Sequence, residues 1–115
     1  DIKGELVVNG YPVDSKTIEA NGEFVDVAFD YDVEFSSWFA LRVYQSSHTN
    51  PVYAIVDGKP IRASRRSAEW CVASVDRCWE MKMDKIRVEE REAAYAAYME
   101  ARAMYELAMA EATAD

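Results

Sequence analysis

The chain changes its hydrophobic pattern once, near Ser64. Before this point, apolar and polar residues alternate between recurrent turn dipeptides, which is typical of β-strands. After it, apolar residues recur three and four positions apart, with one break at residues 83–87, which is typical of helices. The sequence therefore predicts an α+β chain with a β unit at residues 1–63 and a two-helix hairpin at residues 64–115.

The β unit is punctuated by turn signals, among them Asn9-Gly10, Asn21-Gly22 and Asp57-Gly58. These signals predict an antiparallel β-sandwich or curled sheet of about six short strands, drawn from residues 5–8, 11–13, 17–20, 25–33, 38–44 and 52–56, with a further arm at 59–62. Residues 52–56 are apolar almost throughout, which favours a central strand. Proline cannot donate to a ladder, so Pro12 and Pro60 indicate edge positions.

The helical half has two apolar stripes. Ser64 or Ser67 is a good N-cap for the first helix. Its stripe contains Ala68, Cys71, Val72, Val75 and Trp79. The second helix is predicted over about 88–112, with a seam of small residues and tyrosines, namely Ala94, Tyr98, Ala101, Tyr105, Ala108 and Ala112. The spacing predicts a packed C-terminal helical hairpin.

The two cysteines, Cys71 and Cys78, lie seven positions apart in the first predicted helix. On a helix this places them about 10 Å apart along the axis. A disulfide needs Cα atoms within about 7 Å, so we predict no bridge between them. We interpret both as small buried apolar residues.

Length and charge limit the class of protein. The 115 residues correspond to a single domain, and Asp1 in place of a Met suggests a fragment of a longer protein. The net charge is −8, concentrated in residues 1–36, where nine acids face two bases; residues 59–91 are net basic. An acidic chain repels nucleic-acid phosphates and anionic membranes, and no apolar run reaches the roughly 20 residues of a membrane span. We therefore expect neither nucleic acid nor membrane as a partner.

The residues of a catalytic site are sparse. A catalytic triad or metal centre needs several convergent ligands, usually including histidine, and the chain has one His. Asp26, Asp30 and Asp32 alternate like a row of carboxylates, but without a calcium-loop pattern, and we interpret them as solubilising charge. We predict no catalytic residue, no metal site and no cofactor in this chain.

Two surface segments are candidates for contact with another domain. His48, Thr49 and Asn50 belong to a polar loop that ends at Pro51, and Arg62, Arg65 and Arg66 form a basic patch at the first helix. Loops carry function more often than strands do. The alternative interpretation is a connector whose side chains bind their own backbone, followed by a solvated helix start. The sequence leaves both interpretations open.

Several segments together resemble the C-terminal region of the carbaryl-hydrolase-like (CehA/McbA) family of PHP-domain metallohydrolases. These segments are residues 36–43, 47–53, 56–62, 67–71 and 76–79. The resemblance implies that a metal-binding catalytic domain precedes a β-rich module ending in helices. The metal ligands of the family lie in that preceding domain, so no catalytic residue is carried over to this chain.

Two functions follow as hypotheses. The first is a non-catalytic accessory domain of a larger metal-dependent hydrolase, whose partner is the N-terminal catalytic domain of the same chain. The alternative is an independent Ig-like module that binds a protein or ligand. A stand-alone enzyme is disfavoured because the residues of a site are missing.

Overall fold

The computed structural model describes residues 1–115 as an α+β chain that divides into two compact units, Asp1–Ile61 and Arg62–Asp115. The β unit contains one open antiparallel sheet of five strands, and the helical unit contains two helices. The predicted α+β class is therefore confirmed, as is the order of strands before helices. The division falls two residues before the predicted boundary.

The strands of the sheet are β1 (Ile2–Val8), β2 (Tyr11–Ile18), β3 (Ser37–Val43), β4 (Ser47–His48) and β5 (Val52–Ala54). Their order is β2-β1-β3-β4, and β5 also pairs with β3. Residues 42–43 pair with β4 and residues 37–39 with β5, so these two short strands share the side of β3 opposite β1. The central strand is thus β3, and β2, which contains Pro12, lies at an edge as predicted.

The predicted turn at Asn9-Gly10 forms, and the Asn9 side chain also binds the start of β3. Both residues have positive φ, 51° and 94°, which suits the right-handed twist of a two-residue hairpin. The Asn9 side chain accepts a hydrogen bond from the Trp38 backbone N–H at 3.0 Å and donates to the Ser37 hydroxyl at 3.1 Å. The turn is therefore attached to the start of β3.

The strand predicted at residues 25–33 does not form. Tyr31 packs edge-on against Phe39 of β3 with ring centroids 5.8 Å apart, and the Lys16 ammonium group binds the Ala28 carbonyl and lies over the Phe29 ring. Side-chain contacts to the sheet therefore accommodate this alternating pattern without a backbone ladder. The sheet has five strands where about six were predicted, and all five belong to one antiparallel sheet.

The prediction of a central strand at residues 52–56 is also wrong. β5 covers only Val52–Ala54 and pairs with β3 alone, and Val52 and Ile55 are exposed. Asp57-Gly58 does form a turn, in which the Lys59 N–H donates to the Val56 carbonyl at 3.0 Å, but residues 59–62 form no strand. An apolar run is compatible with an exposed edge as well as with a sheet centre.

The helical unit consists of α1 (Arg65–Lys82), a 3₁₀ turn (Met83–Lys85) and α2 (Val88–Ala110). Ser64 is the N-cap of α1, and its hydroxyl accepts from the Ser67 N–H at 3.1 Å. The helices are antiparallel. Trp79 of α1 packs on Tyr95 and Tyr98 of α2. Asp76, one turn before Trp79 on α1, binds Arg102, one turn after Tyr98 on α2. The residues after α2 return to the start of α1, where the Arg65 N–H donates to the Ala114 carbonyl.

The cysteines differ from the sequence-based interpretation. Both belong to α1 and both are free. Cys71 is half-buried, but Cys78 is exposed, so the prediction that both are buried is wrong for Cys78.

Candidate functional site

The side chains named as candidate contact residues fall into two groups. His48, Thr49 and Asn50 belong to the β unit, where they end β4 and lead towards β5. Arg62, Arg65 and Arg66 belong to the helical unit.

One face of the sheet carries a groove of about 490 Å³, hereafter the sheet groove. It is lined by Trp38, Ala40 and Arg42 of β3, Val7 of β1, Tyr53 of β5 and the segment 48–51. Residues two apart on a strand point to the same face, and directly paired residues of neighbouring strands share that face. The groove is therefore organised by the register of the sheet.

Three pairs of residues on neighbouring strands determine which side chains lie at each end of the sheet groove. Trp38 pairs with Tyr53, which makes one end aromatic. Ala40 pairs with Val7, which provides a low apolar floor. Arg42 pairs with His48, which makes the other end polar and basic. An occupant would thus meet rings at one end and the Arg42 guanidinium group at the other.

The polar rim of the groove is fastened to β3 by Thr49. Its N–H donates to the Leu41 carbonyl at 2.9 Å, and its hydroxyl accepts from the Leu41 N–H at 3.0 Å. The neighbouring His48 places Nδ1 3.0 Å from the Thr49 carbonyl. A carbonyl can only accept, so Nδ1 carries the proton and Nε2 is the nitrogen left for other contacts. Asn50 is exposed next to these groups.

An ionic cluster supports the basic end of the groove. Glu5 of β1 is buried, at 8% exposure, and one of its oxygens accepts from Arg42 Nε at 2.9 Å and from Arg42 Nη2 at 2.7 Å. Lys3 lies 3.3 Å from the other oxygen. The hydrogen bonds from Arg42, followed by that from Lys3, hold the pKa of Glu5 below its ordinary value, against the opposing effect of desolvation.

The position of Arg42 leaves part of its guanidinium group free. Its Cζ lies 5.3 Å from the centre of the Tyr44 ring, a cation–π contact that orients the side chain. Only Nε and Nη2 bind Glu5, so Nη1 takes no protein partner. Lys3, Glu5 and Arg42 together carry one net positive charge, which remains next to the groove.

The helical unit carries a second groove, of about 430 Å³, hereafter the helix groove. It runs between α1 and α2 and is mainly apolar; its lining includes Trp70, Cys71, Cys78, Tyr98, Ala101 and Tyr105. Tyr98 and Tyr105 belong to the predicted seam of α2. Tyr98 packs on Trp79, whereas Tyr105 is 41% exposed along the groove.

The three arginines of the predicted patch have different environments. The Arg62 side chain binds Glu111 at 3.1 Å, and the Arg62 carbonyl accepts from the Thr113 N–H at 2.8 Å. Arg62 therefore joins the first residues of the helical unit to its last residues. The side chains of Arg65 and Arg66 are exposed in the first turn of α1, which contains no acidic residue. Positive charge at a helix N-terminus is unfavourable, so these two arginines do not stabilise their own helix.

Groups of metal-ligating residues are absent from the structure, and neither helix has the length and apolarity that crossing a membrane would need. Asp26, Asp30 and Asp32, the candidate carboxylate row, lie in the segment between β2 and β3 and form no such group.

Sequence reasoning found the loop of the sheet groove but not its walls. The alternation along β3 places Trp38, Ala40 and Arg42 on one face, which the sequence shows. What it does not show is that Tyr53, Val7 and Glu5 oppose them, since register between distant strands is not encoded in either strand alone.

Comparisons with known proteins add no family assignment. No protein-family model matches the chain, and neither the curated proteins nor the solved structures contain a match to it. The resemblance to the carbaryl-hydrolase-like family therefore stays a hypothesis based on the quoted segments.

Proposed function

We propose that this chain is a non-catalytic accessory module that works by docking on a catalytic domain. The supporting observation is its unusual distribution of apolar side chains. Val7, Val8 and Ala68 are the buried hydrophobic residues, whereas twenty large hydrophobic side chains are exposed. Single exposed apolar residues are ordinary, but two of these side chains, Trp70 and Tyr105, line the helix groove. Apolar surface gathered along a groove is typical of an interaction site.

The docking surface that we propose is the helix groove together with Arg65 and Arg66. Trp70 is 72% exposed on the wall of this groove, and exposed tryptophans are frequent anchors of protein interfaces. The two exposed arginines at the start of α1 supply charge without an internal partner. An apolar groove flanked by basic residues suits a partner surface with an apolar ridge and an acidic border.

The nature of the catalytic domain is a further part of the proposal. A PHP-type, metal-dependent hydrolase that precedes this module in the same polypeptide is supported by the resemblance alone. In this arrangement the catalytic residues and the metal belong to the other domain, and this chain stabilises it or frames its substrate entrance.

The test compares residues 1–115 alone with the natural polypeptide that contains them. Docking should slow amide hydrogen exchange around Trp70 in the longer polypeptide, because a covered helix opens less often. The double variant Arg65→Glu with Arg66→Glu should restore the faster exchange of the isolated chain. The matched control is the same double variant in residues 1–115 alone. Acidic residues in the first turn favour α1, so exchange around Trp70 should not become faster there.

Two outcomes would contradict the docking proposal. One is equal exchange around Trp70 in both proteins. The other is a natural polypeptide that contains no further domain. A longer polypeptide that shows docking but neither binds metal nor has hydrolase activity would retain the accessory role and remove the hydrolase assignment.

A second candidate function is supported by the sheet groove. An independent module with an Ig-like sandwich would bind its ligand or protein partner through a sheet face or a loop, and the sheet groove combines both. A sandwich would additionally require a second layer of strands against the sheet. Ligand binding by the isolated β unit, without any other domain, would favour this candidate.

A further inference from the structure

We propose that the sheet groove binds a small molecule with a flat aromatic ring at one end and a carboxylate at the other. This inference rests on the second candidate function, ligand binding at the sheet groove, and not on docking through the helices. The volume of about 490 Å³ lies within the range of roughly 300–1,000 Å³ typical of ligand pockets, and a mainly apolar lining with a few polar groups is also typical.

The aromatic end of the ligand follows from Trp38 and Tyr53. They are directly paired across β3 and β5, so both rings rise from the same face. Tyr53 is 64% exposed, so most of this side chain is available to contact a ligand. Trp38 lies against the turn, where a Cβ placed on Gly10 would come within 3.9 Å of its ring. A flat ring placed on Ala40 and Val7 would contact both aromatic side chains.

The carboxylate follows from Arg42 and its surroundings. The guanidinium plane is held by Glu5 and Tyr44, and its free Nη1 is available to bind an anionic oxygen. The positive charge is not cancelled, because Lys3 shares Glu5 with Arg42. Hydrogen bonds between a guanidinium and a carboxylate are stronger than those to a neutral acceptor, so the site should prefer an anion.

The strand geometry sets the length of the ligand. Trp38 and Arg42 are four residues apart on β3, which is about 13 Å at the usual rise of a strand. A ring placed over Ala40, midway between them, is about 7 Å from Arg42 along the strand, so a short spacer should join the ring to the carboxylate. We therefore choose 3-(2-naphthyl)propionate as the probe and its uncharged amide as the paired control ligand.

The experiment is calorimetric titration of residues 1–115 with both probes, with chemical-shift mapping by NMR. The propionate should shift the signals of Trp38, Leu41 and Thr49. The amide should bind about tenfold more weakly, because it lacks the charge-assisted hydrogen bond to Arg42. Tyr53→Ala should weaken binding of the propionate about threefold to tenfold through the lost ring contact.

Tyr11→Ala is the matched control variant. Tyr11 is as exposed as Tyr53, at 66%, but it pairs with Val8 and therefore lies on the opposite face of the sheet. Both substitutions remove an exposed tyrosine, so neither should unfold the β unit. Absence of binding, equal affinity for the two probes, equal weakening by both variants, or shifts confined to the helical unit would each overturn the inference. None of these outcomes bears on docking through the helix groove.

Discussion

In the β unit, polar side chains bind backbone groups that are distant along the chain, whereas in the helical unit rings and ion pairs join the two helices. Ser36 is buried, and its hydroxyl donates to the Lys59 carbonyl at 2.6 Å and accepts from the Val56 N–H at 2.8 Å. Trp79 instead packs on Tyr95 and Tyr98, with ring centroids 5.1 and 5.3 Å away. Directional contacts specify the register of the sheet, and ring packing tolerates small shifts of the helices.

This difference has a consequence for partners. A sheet whose strands are positioned by buried hydrogen bonds presents a preformed groove, which suits a small ligand. A helix pair with a shallow apolar groove presents a surface that a second domain can cover. The two grooves therefore suit different occupants, and the following substitutions test whether the two units are held as described.

The largest effect is expected for Trp79→Ala in the helical unit. The variant loses both ring contacts to α2, and we expect roughly 3 kcal/mol less free energy of unfolding, near the lower limit for a tryptophan in a core because Trp79 is half-buried. Trp70→Ala, on the same helix, removes a side chain that is 72% exposed and should cost under about 0.5 kcal/mol. Chemical denaturation followed by circular dichroism measures both, and similar losses would show that ring packing on α2 does not stabilise the unit.

The next effect is expected for Asn9→Gly in the β unit. Glycine keeps the positive φ of the turn but removes the hydrogen bonds to Trp38 and Ser37, so the variant isolates the side chain. We expect a loss of about 2 kcal/mol, since the Trp38 N–H loses the Asn9 oxygen and the Ser37 hydroxyl keeps only its bond to the Phe35 carbonyl. Asn50→Ala serves as the control because Asn50 is exposed and should be nearly neutral. An unchanged denaturation midpoint for Asn9→Gly would mean that directional contacts do not hold the sheet.

A smaller effect, a change in the pH dependence of the free energy of unfolding, is expected for Glu5. Its pKa is lowered in the folded protein, so its stabilising contribution is fully present above the ordinary value of 4.5 and is lost as the pH falls through the lowered pKa. In Glu5→Gln this part of the pH dependence should disappear, while Glu23→Gln, in an exposed segment, should leave it unchanged. Denaturation series at decreasing pH measure the slopes, and parallel slopes for wild type and Glu5→Gln would rule out the cluster as their cause.

The smallest perturbation is chemical labelling of the two cysteines. Both thiols should react in denaturant without prior reduction, because α1 keeps them apart. In the native protein the exposed Cys78 should react faster than the half-buried Cys71. Mass spectrometry of partly labelled protein identifies the faster site. Preferential labelling of Cys71 would mean that the helix groove is more open at that end than the structure shows.

Local features were predictable where neighbouring residues decide them. The Ser64 cap, the break after α1 and the positive-φ turn at Asn9-Gly10 each depend on residues a few positions apart. The segment at residues 25–33 was not predictable, because alternation within one segment does not reveal whether another strand pairs with its backbone. For the same reason, the apolar run at residues 52–56 did not reveal that β5 lies at an edge.

The sequence by itself determined the change from strands to helices, the hairpin turn and the face of β3 that carries Trp38, Ala40 and Arg42, since these depend on periodicity and local sterics. Only the tertiary structure decided that Tyr53 and Glu5 oppose two of these residues, and that Arg42 keeps one free nitrogen. Register between strands that are distant in the chain is set by the sum of many contacts formed on folding. No single segment contains that information. The sequence therefore identified the loop at residues 48–50 as a candidate, whereas the groove beside it was visible only in the structure.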